Sequence, residues 1–224
     1  MLIYHRITSI EDPYFKKLHE LLQTIFPPEE VLEFELWREP LEDPSIHVYA
    51  ALHGEDVVGS TEYRYYPLLR VAMTDFTIIG RPSMGIGRFL YRKREADLQR
   101  LADQSGTTPI GMFAEVYDPY RAGIHEFGGV SPMNPIVRRE VLSHIGYKRI
   151  IFPYVHPSWD HEGKAVSELD LCFMPQDETL ESLDAALIAQ FLEDYYVALP
   201  NKPQEWLDMM AKLREADKVE LLPL

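Results

Sequence analysis

The stretch that most constrains this chain is Pro82-Ser83-Met84-Gly85-Ile86-Gly87-Arg88, taken with its two flanks. Before it, Val71 to Ile79 is rich in β-branched and aromatic residues and predicts a strand. After it, Arg88 to Gln104 contains neither proline nor glycine and predicts a helix. A Gly-x-Gly turn at such a junction lets backbone approach a ligand closely, because neither glycine carries a Cβ. The free N–H groups of the new helix then favour an anion such as a phosphate.

Two common phosphate loops do not fit. Leu90 stands where the dinucleotide fingerprint needs its third glycine, and no Gly-Lys-Ser/Thr follows as a P-loop requires. The local charge nevertheless suits an anion. The chain carries a formal charge of -14, yet Arg88, Arg92, Lys93 and Arg94 crowd the first turns of this helix. Cations there oppose the helix dipole, so they predict a phosphate ligand or a solvated face paired with Glu95 and Asp97.

At 224 residues and 46% hydrophobic, the chain can bury a full core. No apolar run approaches the roughly 20 residues of a membrane span, and Met1 to Arg6 lacks the features of a secretory signal. The lone Cys172 excludes an internal disulfide framework and predicts a cytoplasmic protein. The acidic balance argues against nucleic acid as a partner, while a negative surface would attract amines.

Strands are expected at Leu2–Ile7, His47–Leu52, Val57–Tyr66, Thr108–Val116, Lys148–Val155 and Glu168–Met174, besides the one at Val71. Helices are expected at about Pro13–Ile25, with Asp12 as N-cap, at Glu29–Arg38 after Pro27-Pro28, and at Pro135–Ile145, closed by Gly146. Beyond residue 176, Leu183, Leu187, Phe191 and Tyr195 recur every four residues and predict an amphipathic helix from Thr179 to Leu199. A second helix should follow Pro203 and present Trp206, Met209, Met210 and Leu213. These helices are expected to pack on the core; the alternatives are a homodimer interface or a lid over the acceptor site.

The resulting order, β-α-α-β-β-β-α-β-α-β-β over residues 1–176, together with Gly85-x-Gly87 and Gly146-Tyr147, resembles the GNAT superfamily of acetyl-CoA-dependent N-acetyltransferases. The resemblance implies a mixed α/β acyltransferase fold, with a central mixed twisted sheet flanked by helices. It divides the chain into an acyltransferase domain, 1–176, and a C-terminal helical extension, 177–224. The loop departs from the family pattern in having Pro82 where Gln or Arg is usual. The implied co-substrate is acetyl-CoA, with no metal. Backbone groups of Thr77, Ile78 and Ile79 would align its pantetheine arm, and the amides of Met84, Gly85, Ile86, Gly87 and Arg88 would bind its pyrophosphate. The implied reaction is direct attack by a primary amine of a small molecule or peptide on the thioester.

Such attack needs a neutral amine, and so a base. Glu115 stands in the otherwise apolar run Ile110 to Val116, where a carboxylate is costly unless paired or functional; Asp75 competes for the role. The family's acid, a tyrosine four residues before the Gly-Phe pair, is Leu142 here. Tyr117 and Tyr120, just past the Glu115 strand, are the substitutes nearest to hand. Tyr147 is expected in the core, and Cys172 as a small buried hydrophobe. The loop bearing His125 and Glu126 falls where acceptor loops lie in the resembling family. His156, Asp160, His161 and Glu162 form a polar connection and no metal site, because zinc needs fixed tetrahedral geometry. Two rivals to an acetyltransferase follow from the missing tyrosine and the unknown depth of the thioester gap. They are a non-catalytic acyl-CoA-binding module and a longer-chain acyltransferase.

Overall fold

The computed structural model describes residues 1–26, 31–121, 134–158 and 163–224. The chain divides into two compact units, Met1–Pro109 with His125–Arg138, and Ile110–Ile124 with Arg139–Leu224.

The first unit contains β1 (Leu2–Ile7), α1 (Phe15–Ile25), a 3₁₀ turn at Phe34–Trp37, α2 (Arg38–Glu42), β2 (Ile46–His53), β3 (Asp56–Tyr66), β4 (Val71–Ile79) and α3 (Ile86–Gln104). Its strands pair antiparallel in the order β1-β2-β3-β4. On α1 the residues Phe15, Leu18, Leu22 and Ile25 form a buried apolar face. The helix starts two residues later than expected, because Asp12 acts upstream of it. Its Oδ1 accepts the Tyr14 N–H at 2.9 Å, and its Oδ2 meets His5 Nε2 at 2.8 Å. The helix expected at Glu29–Arg38 is replaced by the 3₁₀ turn and α2, while Pro27, Pro28 and Glu29 lie outside the described residues. Pro40 fits the first turn of α2, where no intrahelical N–H is needed.

Against this sheet α3 sets a stripe of residues three or four apart. Ile86 and Leu90 join Ala51 and Val58 in one buried cluster, Arg94 bonds Thr61, and Asp97 bonds Tyr63. Thr61 and Tyr63, two apart on β3, share a face by strand alternation, and the bulge that leaves Val58 extra between Val57 and Gly59 lets Val58 join Ile86 and Leu90. Between β3 and β4 the register shifts: Glu62 opposes Phe76 and Tyr63 opposes Thr74, which leaves Asp75 as an extra, bulged residue.

The second unit begins with β5 (Gly111–Tyr117). α4 (Pro135–His144) follows and runs across the division, and then come β6 (Lys148–Ile150), β7 (His156–Pro157), β8 (Ala165–Val166), β9 (Leu169–Pro175), β10 (Ser182–Asp184), α5 (Ala185–Tyr195), α6 (Gln204–Glu215) and β11 (Lys218–Pro223). Within this unit the strand order is β5-β9-β6-β11-β10, antiparallel throughout, with β7 and β8 forming a separate ladder.

Three expectations are corrected here. The strand foreseen over Lys148–Val155 ends at Ile150, and Pro153 cannot donate to a ladder. The helix foreseen from Thr179 starts at Ala185, because Ser182–Asp184 pairs with Lys218–Glu220 as strand. The segment after residue 176 is not helical alone, since β11 pairs with β6 at Leu221↔Ile150. Leu183 is buried all the same, as are Phe191 and Tyr195 on α5 and Trp206, Met209, Met210 and Leu213 on α6. Phe191 stacks on Phe113 of β5 with ring centroids 4.0 Å apart, and Phe113 also meets Phe173 of β9. Each such buried ring contributes roughly 1.5–3 kcal/mol. Among the described residues, no helix is long and apolar enough to cross a membrane.

Candidate active site

In the first unit, the loop after β4 opens α3 on Gly85, which has φ 67° and ψ 21°. Ser83, two residues earlier, also has φ 67°. A side-chain-bearing residue in that conformation costs about 1–2 kcal/mol, and such strain concentrates at ligand clamps. The Gly85 carbonyl accepts the Phe89 N–H at 3.0 Å, the first bond of α3. Among the described residues no side chain caps the helix, so the amides of Ile86, Gly87 and Arg88 are left for an external acceptor. Arg88, Arg92 and Lys93 are exposed around this terminus. Arg94 is the exception: it turns inward, is 4% exposed, and bonds the hydroxyls of Thr61, Thr74 and Thr77. Thr77, Ile78 and Ile79 form the end of β4, in register with Thr61, Ser60 and Gly59. The Gly80 N–H donates to the Val58 carbonyl at 2.9 Å and extends that pairing into the loop.

Asp75, the competing base, faces Glu62 and Arg64, with an Arg64 nitrogen 3.8 Å from each carboxylate. Burial, and then the charge of Asp75, push the Glu62 carboxyl up to about 8. This pair shares its environment with a cation but holds one proton more than two ordinary carboxylates would.

In the second unit, Glu115 lies on β5 between the buried Ala114 and Val116. Its Oε1 accepts hydrogen bonds from the Tyr154 and Tyr196 hydroxyls and meets Nδ1 of His156 at 2.9 Å. The two phenol oxygens are 2.9 Å apart, and Tyr196 is 2.8 Å from the same imidazole nitrogen. Burial alone would raise the Glu115 carboxyl. The charge of His156 and the three hydrogen bonds outweigh it and hold the group below the usual carboxylate value. Both phenols are pushed well above their ordinary value, first by burial and then by the Glu115 charge. The cluster thus joins an ionised carboxylate to two phenols that stay protonated and one imidazole.

Tyr117 is half-buried and lies two residues beyond Glu115 on the same face of β5. Tyr120 is 86% exposed. The Glu115 contacts described above come from Tyr154, Tyr196 and His156. Leu142 packs against Ala114, Val116, Tyr147 and Cys172, so apolar contacts fill the position of the family's tyrosine. Tyr147 and Cys172 are core residues, as foreseen. His156, expected in a solvated connection, is instead drawn in by Glu115. Asp160, His161 and Glu162 lie outside the described residues, as do His125 and Glu126. Tyr154, His156 and Tyr196 are what the sequence reading missed. The available signal was that Tyr154 and His156, two apart in an extended segment, share a side, and that a carboxylate buried in a strand must find donors.

No protein-family model matches the chain, and neither does any curated protein sequence. Solved structures do match. A protein from Bacteroides thetaiotaomicron assigned to the GNAT family as an acetyltransferase is 19% identical. It covers 87% of this chain and 95% of its own, with a TM-score of 0.56. A GNAT-family acetyltransferase from Staphylococcus aureus MU50 is 11% identical, covers 78% and 99%, and has a TM-score of 0.54. An aminoglycoside 6′-acetyltransferase type Ii is 16% identical, covers 76% and 94%, and has a TM-score of 0.50. At these identities the likeness is one of fold: the chain has the mixed α+β fold of GNAT acyltransferases.

Proposed function

We propose that the chain is an acyltransferase that moves an acetyl group from acetyl-CoA to a primary amine. The observation that carries this reading is the uncapped start of α3, opened by a left-handed Gly85 and ringed by Arg88, Arg92 and Lys93, within a GNAT fold. In this reading the amides of Met84 to Arg88 bind the pyrophosphate, and the backbone of Thr77 to Ile79 aligns the pantetheine arm. The amine nitrogen attacks the thioester carbonyl, the C–S bond breaks, and an amide forms. Glu115, ionised at neutral pH, accepts the proton that the amine loses. Tyr154 or Tyr196 returns a proton to the departing thiolate, in place of the phenol missing at Leu142. The aminoglycoside enzyme of similar fold supports an amine acceptor, as does the net charge of -14. A cytoplasmic location belongs to this reading and rests on the lone cysteine.

Acetyl-CoA titrated calorimetrically against the chain, followed by thiol release with a panel of amines, tests the reading. Binding with amine-dependent release of coenzyme A is the expected result. Binding without release under any amine supports an acyl-CoA-binding module, the reading that Leu142 favours, and absence of binding overturns both. Competition by longer acyl-CoA thioesters distinguishes acetyl transfer from longer-chain transfer.

A further inference from the structure

Arg94 is a buried cation that forms no ion pair with any carboxylate among the described residues, and its partners are three threonine hydroxyls. Nη1 lies 2.7 Å from Thr77 Oγ1, 2.8 Å from Thr74 Oγ1, and 3.4 Å from Thr61 Oγ1. The hydroxyls have a prior commitment. Thr61 donates to the Phe76 carbonyl at 3.1 Å, and Thr74 donates to the Glu62 carbonyl at 3.2 Å. Thr61 and Thr77 are also 2.9 Å apart. Both carbonyls flank the bulge at Asp75, where the regular ladder is interrupted. Hydroxyls that have spent their protons on carbonyls can only accept, so the group that completes the network must donate. Arginine meets that requirement.

A buried guanidinium without a counter-ion is costly, and apolar replacements of buried charges are often neutral or stabilising. Stability by itself therefore does not account for Arg94. Its position suggests what does. Arg94 is on α3, whose first turn begins at Ile86, while Thr74 and Thr77 are on β4, whose last residues are Thr77 to Ile79.

We propose that Arg94 is a positioning residue for the acyl-CoA site: by pinning Thr74 and Thr77 on either side of the bulge to α3, it sets the end of β4 relative to the start of that helix. The proposal rests on the acyl-CoA reading above for its ligand. It needs no contact between Arg94 and the cofactor.

The test compares the wild type with Arg94→Met, Arg94→Lys and Thr77→Val, using acetyl-CoA calorimetry, thermal unfolding and hydrogen exchange of the ligand-free chain. Arg94→Met should keep its thermal midpoint near that of the wild type. Its acetyl-CoA affinity should fall about tenfold or more, and amides 77–79 and 85–88 should exchange faster. Arg94→Lys, also a pure donor, should recover part of the affinity. Thr77→Val keeps the β-branched shape and loses one hydroxyl, so it should show the same changes more weakly; it carries the test if Arg94→Met does not fold. Folded variants with wild-type exchange and affinity overturn the proposal. If the wild type itself binds no acetyl-CoA, the acyl-CoA reading fails, and exchange at those amides still decides whether Arg94 sets the strand end.

Discussion

The Tyr196 hydroxyl lies 2.8 Å from Nδ1 of His156, across 40 residues of chain. Tyr196 follows the end of α5 and His156 opens β7, and both converge on one oxygen of Glu115. A carboxylate in an apolar strand is tolerable only when donors reach it. The segment after residue 176 supplies one of them, so it belongs to the Glu115 site as much as to the packing of the core.

Glu115 and Tyr196 give the first prediction. Glu115→Gln should lower kcat by about 10²–10⁴-fold, the usual worth of a general base. Tyr196→Phe removes one donor, so the Glu115 carboxyl should rise toward its ordinary value. A carboxyl depressed in the native state adds stability that is complete above its unfolded value and is lost as pH falls through the native one. The thermal midpoint of Tyr196→Phe should therefore lie below that of the wild type at neutral pH, with the gap narrowing in acid. Melting curves between pH 7 and pH 4 check this, and a gap that does not change with pH would count against it.

Glu62 should behave with the opposite sign. Its native carboxyl is raised to about 8, so the folded chain holds a proton that the unfolded chain releases. That contribution is fully present below the unfolded carboxylate value and is lost as pH rises through about 8. Glu62→Gln, which keeps the shape and never ionises, should gain stability relative to the wild type between pH 5 and pH 9. Parallel unfolding profiles for the two proteins would mean that Glu62 is already charged.

The two loop glycines should fail for different reasons. A Cβ at Gly85 meets none of the described residues within 4 Å, but the residue sits at φ +67°. Gly85→Ala should therefore cost about 1–2 kcal/mol through conformation, and Gly85→Asn less, since asparagine visits that region more readily. At Gly87 a Cβ would come 3.0 Å from Cδ1 of Ile79, so a valine there crowds the strand end instead. Acetyl-CoA affinity should fall more for Gly85→Ala than for Gly85→Asn. Equal losses, read by calorimetry, would show that backbone conformation at this turn is not limiting.

Truncation after Pro175 should give a chain that aggregates. It removes Phe191, which stacks on Phe113, and β11, which pairs with β6, and so exposes apolar surface and an unpaired strand edge. Light scattering on the truncated chain tests this, and a soluble, monodisperse product would show that the segment is dispensable for folding.

The local order of this chain was determined by its residues. The β-rich run into Gly85-Ile86-Gly87, the uninterrupted helix after it, and the end of α4 before Gly146 each follow from propensity and turn chemistry within a few positions. Glu115 was visible too, because a charge in an apolar strand stands out against its neighbours. Its donors were not: Tyr154, His156 and Tyr196 come from separate stretches of chain, and the spacing of Tyr154 and His156 puts two of them on one side without saying which carboxylate that side meets. The same holds for Arg94, which sequence groups with Arg92 and Lys93 on a basic helix start and which the helix period turns inward onto three threonines. Strands β10 and β11 were hidden because short strands owe their existence to a partner, and Ser182–Asp184 becomes strand only where Lys218–Glu220 lies beside it. Propensity and periodicity act between near neighbours in sequence; pairing, burial and the satisfaction of a buried charge act between near neighbours in space, and only the folded chain says which those are.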